Sequence, residues 1–314
     1  MKHKWKLFVC GISISLLLGG CFGVDSGKKS EAKKTDAKQG ELDRPKDTYE
    51  SVLTYTGDGY SLPGGEENGK FAKKHKDEVE KATKDYLKKE YNIDVKVHNM
   101  VGNKDGVTVF FESIGRLHYY ATVIVPIDIQ NEKVLADSVW TLEDEVENAI
   151  RGALYGYIMS DEFKELDNML TSFTEEYPIV GRTQESLENV RARGYTTPYY
   201  FTQSIDLDEA INPVYDLYIN NPDTPKDELK SAYASEKFNP RYFRIPIQFF
   251  MEEPDAQPSQ EIVDSLVKAL EESDSIPNGA YSIHLNDHYI IKSKSSGNKK
   301  NTIGYGPPNY IIKK

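Results

Sequence analysis

The chain has 314 residues, 39 Lys and Arg against 50 Asp and Glu, and a net charge of −11. That balance excludes a general nucleic-acid binder, which needs a basic face to neutralise phosphates, and it disfavours adsorption to anionic lipid without a tether. Only two cysteines occur, Cys10 and Cys21, too few for a disulfide framework, so the fold must rest on its core, and the length allows one large core or two small ones.

Lys2, Lys4 and Lys6 open the sequence, and Leu7 to Leu18 follow as a 12-residue apolar run broken only by Gly11, Ser13 and Ser15. A membrane span needs about 20 such residues. The run therefore reads as the apolar region of an export signal. Leu18-Gly19-Gly20-Cys21 at its end resembles the lipobox of a bacterial lipoprotein signal peptide. A cysteine is required there because its thiolate is the nucleophile that takes up lipid. The resemblance implies a diacylglycerol thioether on Cys21, cleavage before it, and anchoring on the outer face of the cell membrane, which two acyl chains hold stably. Residues 1–20 are then a signal peptide, and losing their three lysines moves the net charge from −11 to −14. With Cys10 discarded and Cys21 lipidated, no thiol remains for a disulfide, a metal or a nucleophile. Residues 21–48 form the lipidated cysteine and a tether: Phe22 to Thr48 is rich in Lys, Asp, Glu, Ser, Gly and Ala without hydrophobic period, as expected of a disordered segment.

Tyr49 to Pro63 reads as a strand and turn around Gly57-Asp58-Gly59. Phe71, His75, Val79, Ala82 and Tyr86 share one face of a single helix. Ile93, Val95 and Val97 alternate as a strand, Gly102 to Gly106 is a turn, and Val107–Ile114 and Leu117–Ile127 are two more strands. Three strands with short links predict an antiparallel meander. Thr141-Leu-Glu-Asp144 reads as a capping box opening a helix to Met159, and Ser160 as the cap of another reaching Tyr177. Pro178 to Gly181 marks a boundary between a first α+β half, 49–178, and a second, 179–314. The second half reads as a helix at 183–193, an extended piece at 197–203, a helix at 206–220 with Pro213 marking its bend or start, a helix opening at Thr224-Pro225, a buried strand at 242–251 and a helix at 258–272 with Ile262, Leu266 and Ala269 inward. A hairpin about Asn286-Asp287 and a short edge strand at 309–314 complete it. The expected class is α+β, an antiparallel meander with flanking helices, in one body or two halves.

Tyr55-Thr-Gly-Asp-Gly-Tyr60, Val123-Ile-Val-Pro-Ile-Asp128 and Thr197-Pro-Tyr-Tyr200, behind a lipobox and a lysine-rich tether, resemble an uncharacterised lipoprotein family of low-GC Gram-positive bacteria, staphylococci and relatives. The resemblance covers about Tyr49 to the end. It implies an outer-face membrane anchor, carries over no functional residue besides Cys21, and assigns no activity.

Gly64-Gly-Glu-Glu-Asn-Gly69-Lys70 matches the opening of a phosphate-binding loop. However, Phe71 stands where Ser or Thr must hold the metal, and Glu66 and Glu67 would repel phosphate, so it reads as a loop before a helix. His284 and His288 are four apart with Asp287 between them, but on a hairpin they need not converge on a metal. His75, His98 and His118 read as histidines of the core or its edge. Asp206-Leu-Asp208-Glu209 reads as the acidic first turn of a helix. The 21 tyrosines are the one compositional excess, and Tyr119-Tyr120 and Tyr199-Tyr200 read as strand pairs with one ring inward and one outward. No catalytic, cofactor or metal residue stands out. The expected function is that of a lipid-anchored binding protein for a cell-wall or protein ligand, the alternatives being a cell-wall hydrolase with a carboxylate site and the substrate-binding lipoprotein of an importer.

Overall fold

In the computed structural model the described residues are 44–314; the expected lipobox, Cys21 and the expected tether up to residue 43 lie outside them. The first described residue is Arg44, whose guanidinium meets Asp287 at 2.5 Å across 243 residues of sequence. Strand β1 (Tyr49–Ser51) then pairs antiparallel with β11 (Tyr289–Ile291).

The apolar face spanning 71–86 forms, but as two helices: α1 (Glu66–Lys74) and α2 (Lys76–Tyr91) break at His75, which has φ −113° and ψ 33° and stacks on Phe71 with ring centroids 4.1 Å apart. Asn92 ends α2 in the left-handed conformation that favours Gly or Asn. The meander follows as expected, β2 (Asp94–Asn103), β3 (Gly106–Ile114) and β4 (Tyr120–Val125), antiparallel throughout. Period-two alternation puts Val107, Val109 and Phe111 opposite Val125, Val123 and Ala121 on the inner face, where they join Val79, Leu87, Ile150 and Leu154 in the main core. The outer face carries the rows Thr108–Ile124, Phe110–Thr122 and Glu112–Tyr120. The small pair β5 (Ile127–Asp128) and β6 (Lys133–Val134) leads on to α3 (Glu145–Ile158). That helix starts four residues after Thr141, because Asp144 at its cap is left-handed at φ 56° and breaks the helical path. Helix α4 (Ser160–Glu176) starts at Ser160, whose Oγ accepts a bond from Lys226 instead of capping.

Strand β7 (Ile179–Val180) pairs with the later strand β9 (Phe243–Met251), and α5 (Gln184–Val190) is capped by Thr183 Oγ1, which accepts from Ser186 N–H at 3.2 Å. After β8 (Gln203–Ser204) comes α6 (Asn212–Asn220), opened by Pro213 in its first turn. Asp206–Glu209 is thus not the start of a helix. Asp208 is fully buried and accepts bonds from Tyr155 Oη and Ser204 Oγ. Then come α7 (Lys226–Ala232), β9 (Phe243–Met251), α8 (Gln260–Glu272) and β10 (Gly279–Asn286). Strands β9 and β10 are parallel, joined through α8. That helix turns Ile262, Val263, Leu266 and Leu270 inward, and Ala269 stays half-buried. The hairpin expected at Asn286-Asp287 does not form: β11 leaves β10 to pair with β1, while β12 (Ile303–Tyr305) and β13 (Ile311–Lys313) add antiparallel to β10. The described residues are a mixed α+β fold, and one core cluster draws on residues from Phe71 to Ile311, across Pro178. No helix among them is long and apolar enough to cross a membrane.

The tyrosine excess goes largely inward. Tyr55, Tyr119, Tyr155, Tyr200 and Tyr281 are among the largest fully buried side chains. A buried hydroxyl needs a partner, and four have one: Tyr55 donates to Lys292 O, Tyr155 to Asp208, Tyr200 to Asp167 and Tyr281 to Pro277 O. Both rings of Tyr119-Tyr120 are buried, as α5 covers the sheet's outer face above Tyr120, and Tyr199 is half-buried beside a buried Tyr200.

Candidate functional site

Strand β4 is the last strand of the meander, so its free edge presents backbone groups that need partners. Two bridges cover its ends: Tyr120 pairs with Gly194, and Ile124 pairs with Trp140. Gly194 has φ +56°, which a glycine adopts without strain. Between the bridges the edge stays open, and Glu145 answers it: its Oε1 accepts from Thr122 N–H at 3.1 Å and from Thr122 Oγ1 at 2.5 Å.

A cleft opens at this gap. One cavity of about 370 Å³ is floored by Tyr120, Ala121, Ala149 and Gly194 and carries Arg193, Arg241 and Arg244. A second, of about 310 Å³, lies over Phe110, Thr122 and Ile124 and carries Arg191 and Arg193. The two share Leu142, Glu145, Arg193 and Gln203 as walls. Leu142, Ile205 and Trp140 stand exposed around it. Four arginines thus line the two cavities, none of them reaching a carboxylate among the described residues, and the Arg244 guanidinium lies over the Tyr310 ring, 5.5 Å from its centroid. Arg191 sits open to water but deep in the concavity. Burial, and then the neighbouring Arg193 charge, hold its pKa below the ordinary arginine value. The carboxylates lining the cavities are Glu143 and Glu145, and Glu145 is engaged by Thr122. The acids that burial raises above the ordinary range, Asp167 and Asp208, lie elsewhere.

Beside the cleft, on the same outer sheet face, His98 stands between two glutamates. Its Nε2 is 3.3 Å from Glu112 Oε2 and its Nδ1 is 3.3 Å from Glu188 Oε2. Among the described residues this is the group of histidines and acids close enough to share a cation, its ligand atoms lying within 4.8 Å of one another. His118 Nε2 is 3.1 Å from Glu112 Oε2 and Lys96 Nζ is 3.3 Å from Oε1. Burial alone would raise the Glu112 pKa, but the bonds from His118 and Lys96 and the charge of His98 leave it lowered. Burial, then the charges of Glu112 and Glu188, raise Tyr120 to about 12.

The other sequence candidates take structural roles. Gly65 and Gly102 lie so close that a Cβ on Gly65 would sit 1.7 Å from Gly102 O; the glycines of the loop at 64–70 serve helix–strand packing, and Lys70 pairs with Glu66 and Glu67 on the surface. His284 and His288 do not converge: His284, on β10, faces Gly304 on β12, and the buried His288 sets Nδ1 3.3 Å from Met251 O. Reading His98 as a core histidine found its burial and missed its carboxylates, which come from β3 and α5. The cleft arginines were missed altogether. Their signal is Arg191-Ala-Arg193 and Arg241-Tyr-Phe-Arg244, two basic doublets in an acidic chain.

The comparison with curated proteins found no match. A crystal structure of a DUF1672 family protein from Staphylococcus aureus is similar, with a TM-score of 0.66 and 19% identity over 82% of this chain and 97% of that one. At that identity the likeness speaks for the fold. The sequence itself matches the family described as protein of unknown function, DUF1672, over residues 43–313, the span that starts one residue before Arg44 closes onto Asp287. A match of that extent makes the chain a member of the DUF1672 family.

Proposed function

We propose that this protein is a lipid-anchored extracytoplasmic binding protein whose cleft takes a ligand bearing a phosphate or carboxylate beside an apolar part. The observation that carries the reading is the set of Arg191, Arg193, Arg241 and Arg244 lining the cleft with no carboxylate partner among the described residues. Guanidiniums bind planar or tetrahedral oxyanions through paired N–H donors, and in a chain of net charge −11 such a patch is a local reversal of sign. A hydrolase with facing acids is less well supported, since Glu145 is spent on Thr122. Anchoring is supported by the lipobox at Leu18–Cys21.

The cleft is tested on residues 41–314, which form one compact unit. Titration with octyl phosphate, with octanol and inorganic phosphate as controls, should give saturable binding to the first that weakens with added salt, because exposed charges are screened beyond roughly 8 Å at physiological ionic strength. Arg193→Ala and Arg241→Ala should each weaken binding about tenfold, the size of a lost charge-assisted hydrogen bond. Equal affinity in wild type and both variants would remove the cleft as the site. The anchor is tested with radioactive palmitate in growing cells: wild type should be labelled and membrane-bound, and Cys21→Ala unlabelled. Label on Cys21→Ala would mean that Leu18–Cys21 is not a lipobox.

A further inference from the structure

The cluster beside the cleft is constructed in a way that packing does not require. Between Val97 and Asn99 the pairing of β2 with β3 slips by one residue, leaving His98 as the extra residue of a β-bulge. Bulges re-aim a side chain and disrupt the ladder locally. Here the ring is only 6% exposed and lies between carboxylates from two other elements. Asn99 Nδ2 donates to Asn189 O, fixing α5 against the bulge and so holding Glu188 Oε2 3.3 Å from the ring, where one ligand atom from each of His98, Glu112 and Glu188 lies within 4.8 Å of the others. Each glutamate has one oxygen bonded to a donor and turns the other to His98, the one on Glu112 also meeting His118 Nε2 at 3.1 Å. Lys96 holds Glu112 Oε1, and Gln184 Nε2 bonds Glu188 Oε1 at 2.9 Å and Tyr120 Oη at 2.9 Å. The His98 Nε2 atom is buried and, although 3.3 Å from Glu112 Oε2, has no hydrogen-bond partner among the described residues.

From this geometry we infer that His98, Glu112 and Glu188 bind a divalent transition metal, with zinc as the ion of choice. One imidazole nitrogen and two carboxylate oxygens form a donor set that zinc accepts at about 2.0–2.2 Å per bond. Three protein ligands leave a position for water or an exogenous group, and His118 stands at the rim, half-exposed, within reach of Glu112. Gln184 and Lys96 act as the outer partners that orient the ligating carboxylates. A buried imidazole nitrogen 3.3 Å from Glu112 Oε2 but without a hydrogen bond gains a partner when a cation binds it.

The test uses metal-free residues 41–314 and ZnCl2, with competition against a chromophoric zinc chelator and isothermal titration. Wild type should bind one equivalent. His98→Gln and Glu188→Gln should each lower affinity about tenfold or more, and His284→Gln, on β10, should leave it unchanged. Thermal melts in EDTA confirm that each variant is folded; Glu188→Gln lies at a partly exposed position on α5, so it serves if His98→Gln unfolds. X-ray absorption of the zinc-loaded protein should show a first shell of nitrogen and oxygen without sulfur. Absence of stoichiometric zinc binding by wild type, or wild-type affinity retained in both ligand variants, would overturn the proposal.

Discussion

At the scale of single residues, the chain's most consequential charge is Asp287. It is fully buried, held by Arg44 at 2.5 Å, Lys299 at 2.9 Å and Asn301 at 2.9 Å. Burial opposes its ionisation, but the bonds from Arg44, Lys299 and Asn301 outweigh burial and lower its pKa below the usual 3.8. A carboxylate lowered in the folded state adds stability above its unfolded pKa, and that stability is lost as pH falls through the folded value. Asp287→Asn should therefore cost about 3–5 kcal/mol at neutral pH, as expected when one partner of a buried ion pair is removed, and should shrink the loss of stability below about pH 4. Urea unfolding across pH checks both, and an unchanged midpoint at neutral pH would mean the ion pair contributes nothing. A fragment starting at Tyr49, which lacks Arg44, should melt below one starting at residue 41.

At the scale of elements, α1 and β2 meet backbone to backbone. A Cβ on Gly102 would fall 2.0 Å from Gly65 O and 2.2 Å from Gly69 N, so neither element can yield without separating. Overpacking a core usually costs about 1–3 kcal/mol, and here backbone stands on both sides. Gly102→Ala should therefore destabilise by about 3 kcal/mol or more, read as a lower urea midpoint. Lys70→Ala, on the same segment but at the surface, should leave the midpoint unchanged and reveal no ATP binding in either form. A tolerated alanine at position 102 would contradict the close approach.

At the scale of the whole molecule, the core binds distant parts of the sequence into one unit. The main cluster includes Val107 and Ile150 as well as Phe249 and Leu266, and β7, just after Pro178, pairs with β9. Residues 41–314 should accordingly unfold in one transition by circular dichroism and by tyrosine fluorescence, since coincident probes mark two-state behaviour. Two separated transitions would show halves with cores of their own. The cleft is also a property of this scale: Arg191 and Arg193 follow α5, Arg241 precedes β9 and Arg244 lies in it, and the floor comes from β4 and α3.

The sequence alone determined what local physics controls. The meander at 94–125 was legible because alternation has period two and its turn residues are distinctive. The buried strand β9 and helices α4 and α8 were legible because long apolar patterns leave little choice. The break at His75 and the late start of α3 were not, since each depends on one residue's backbone angle, set by tertiary contacts. The partner of β11 was equally hidden: Asn286-Asp287 has the composition of a turn, but Arg44 and Lys299 recruit Asp287 inward and β1 captures the strand beyond it. The site candidates divide in the same way. A phosphate loop at 64–70 could be set aside from Phe71 and two glutamates alone. The neighbours of His98 and the convergence of the four arginines could not be read. Each involves residues from separate elements, and sequence spacing carries no information about which elements a folded core brings side by side.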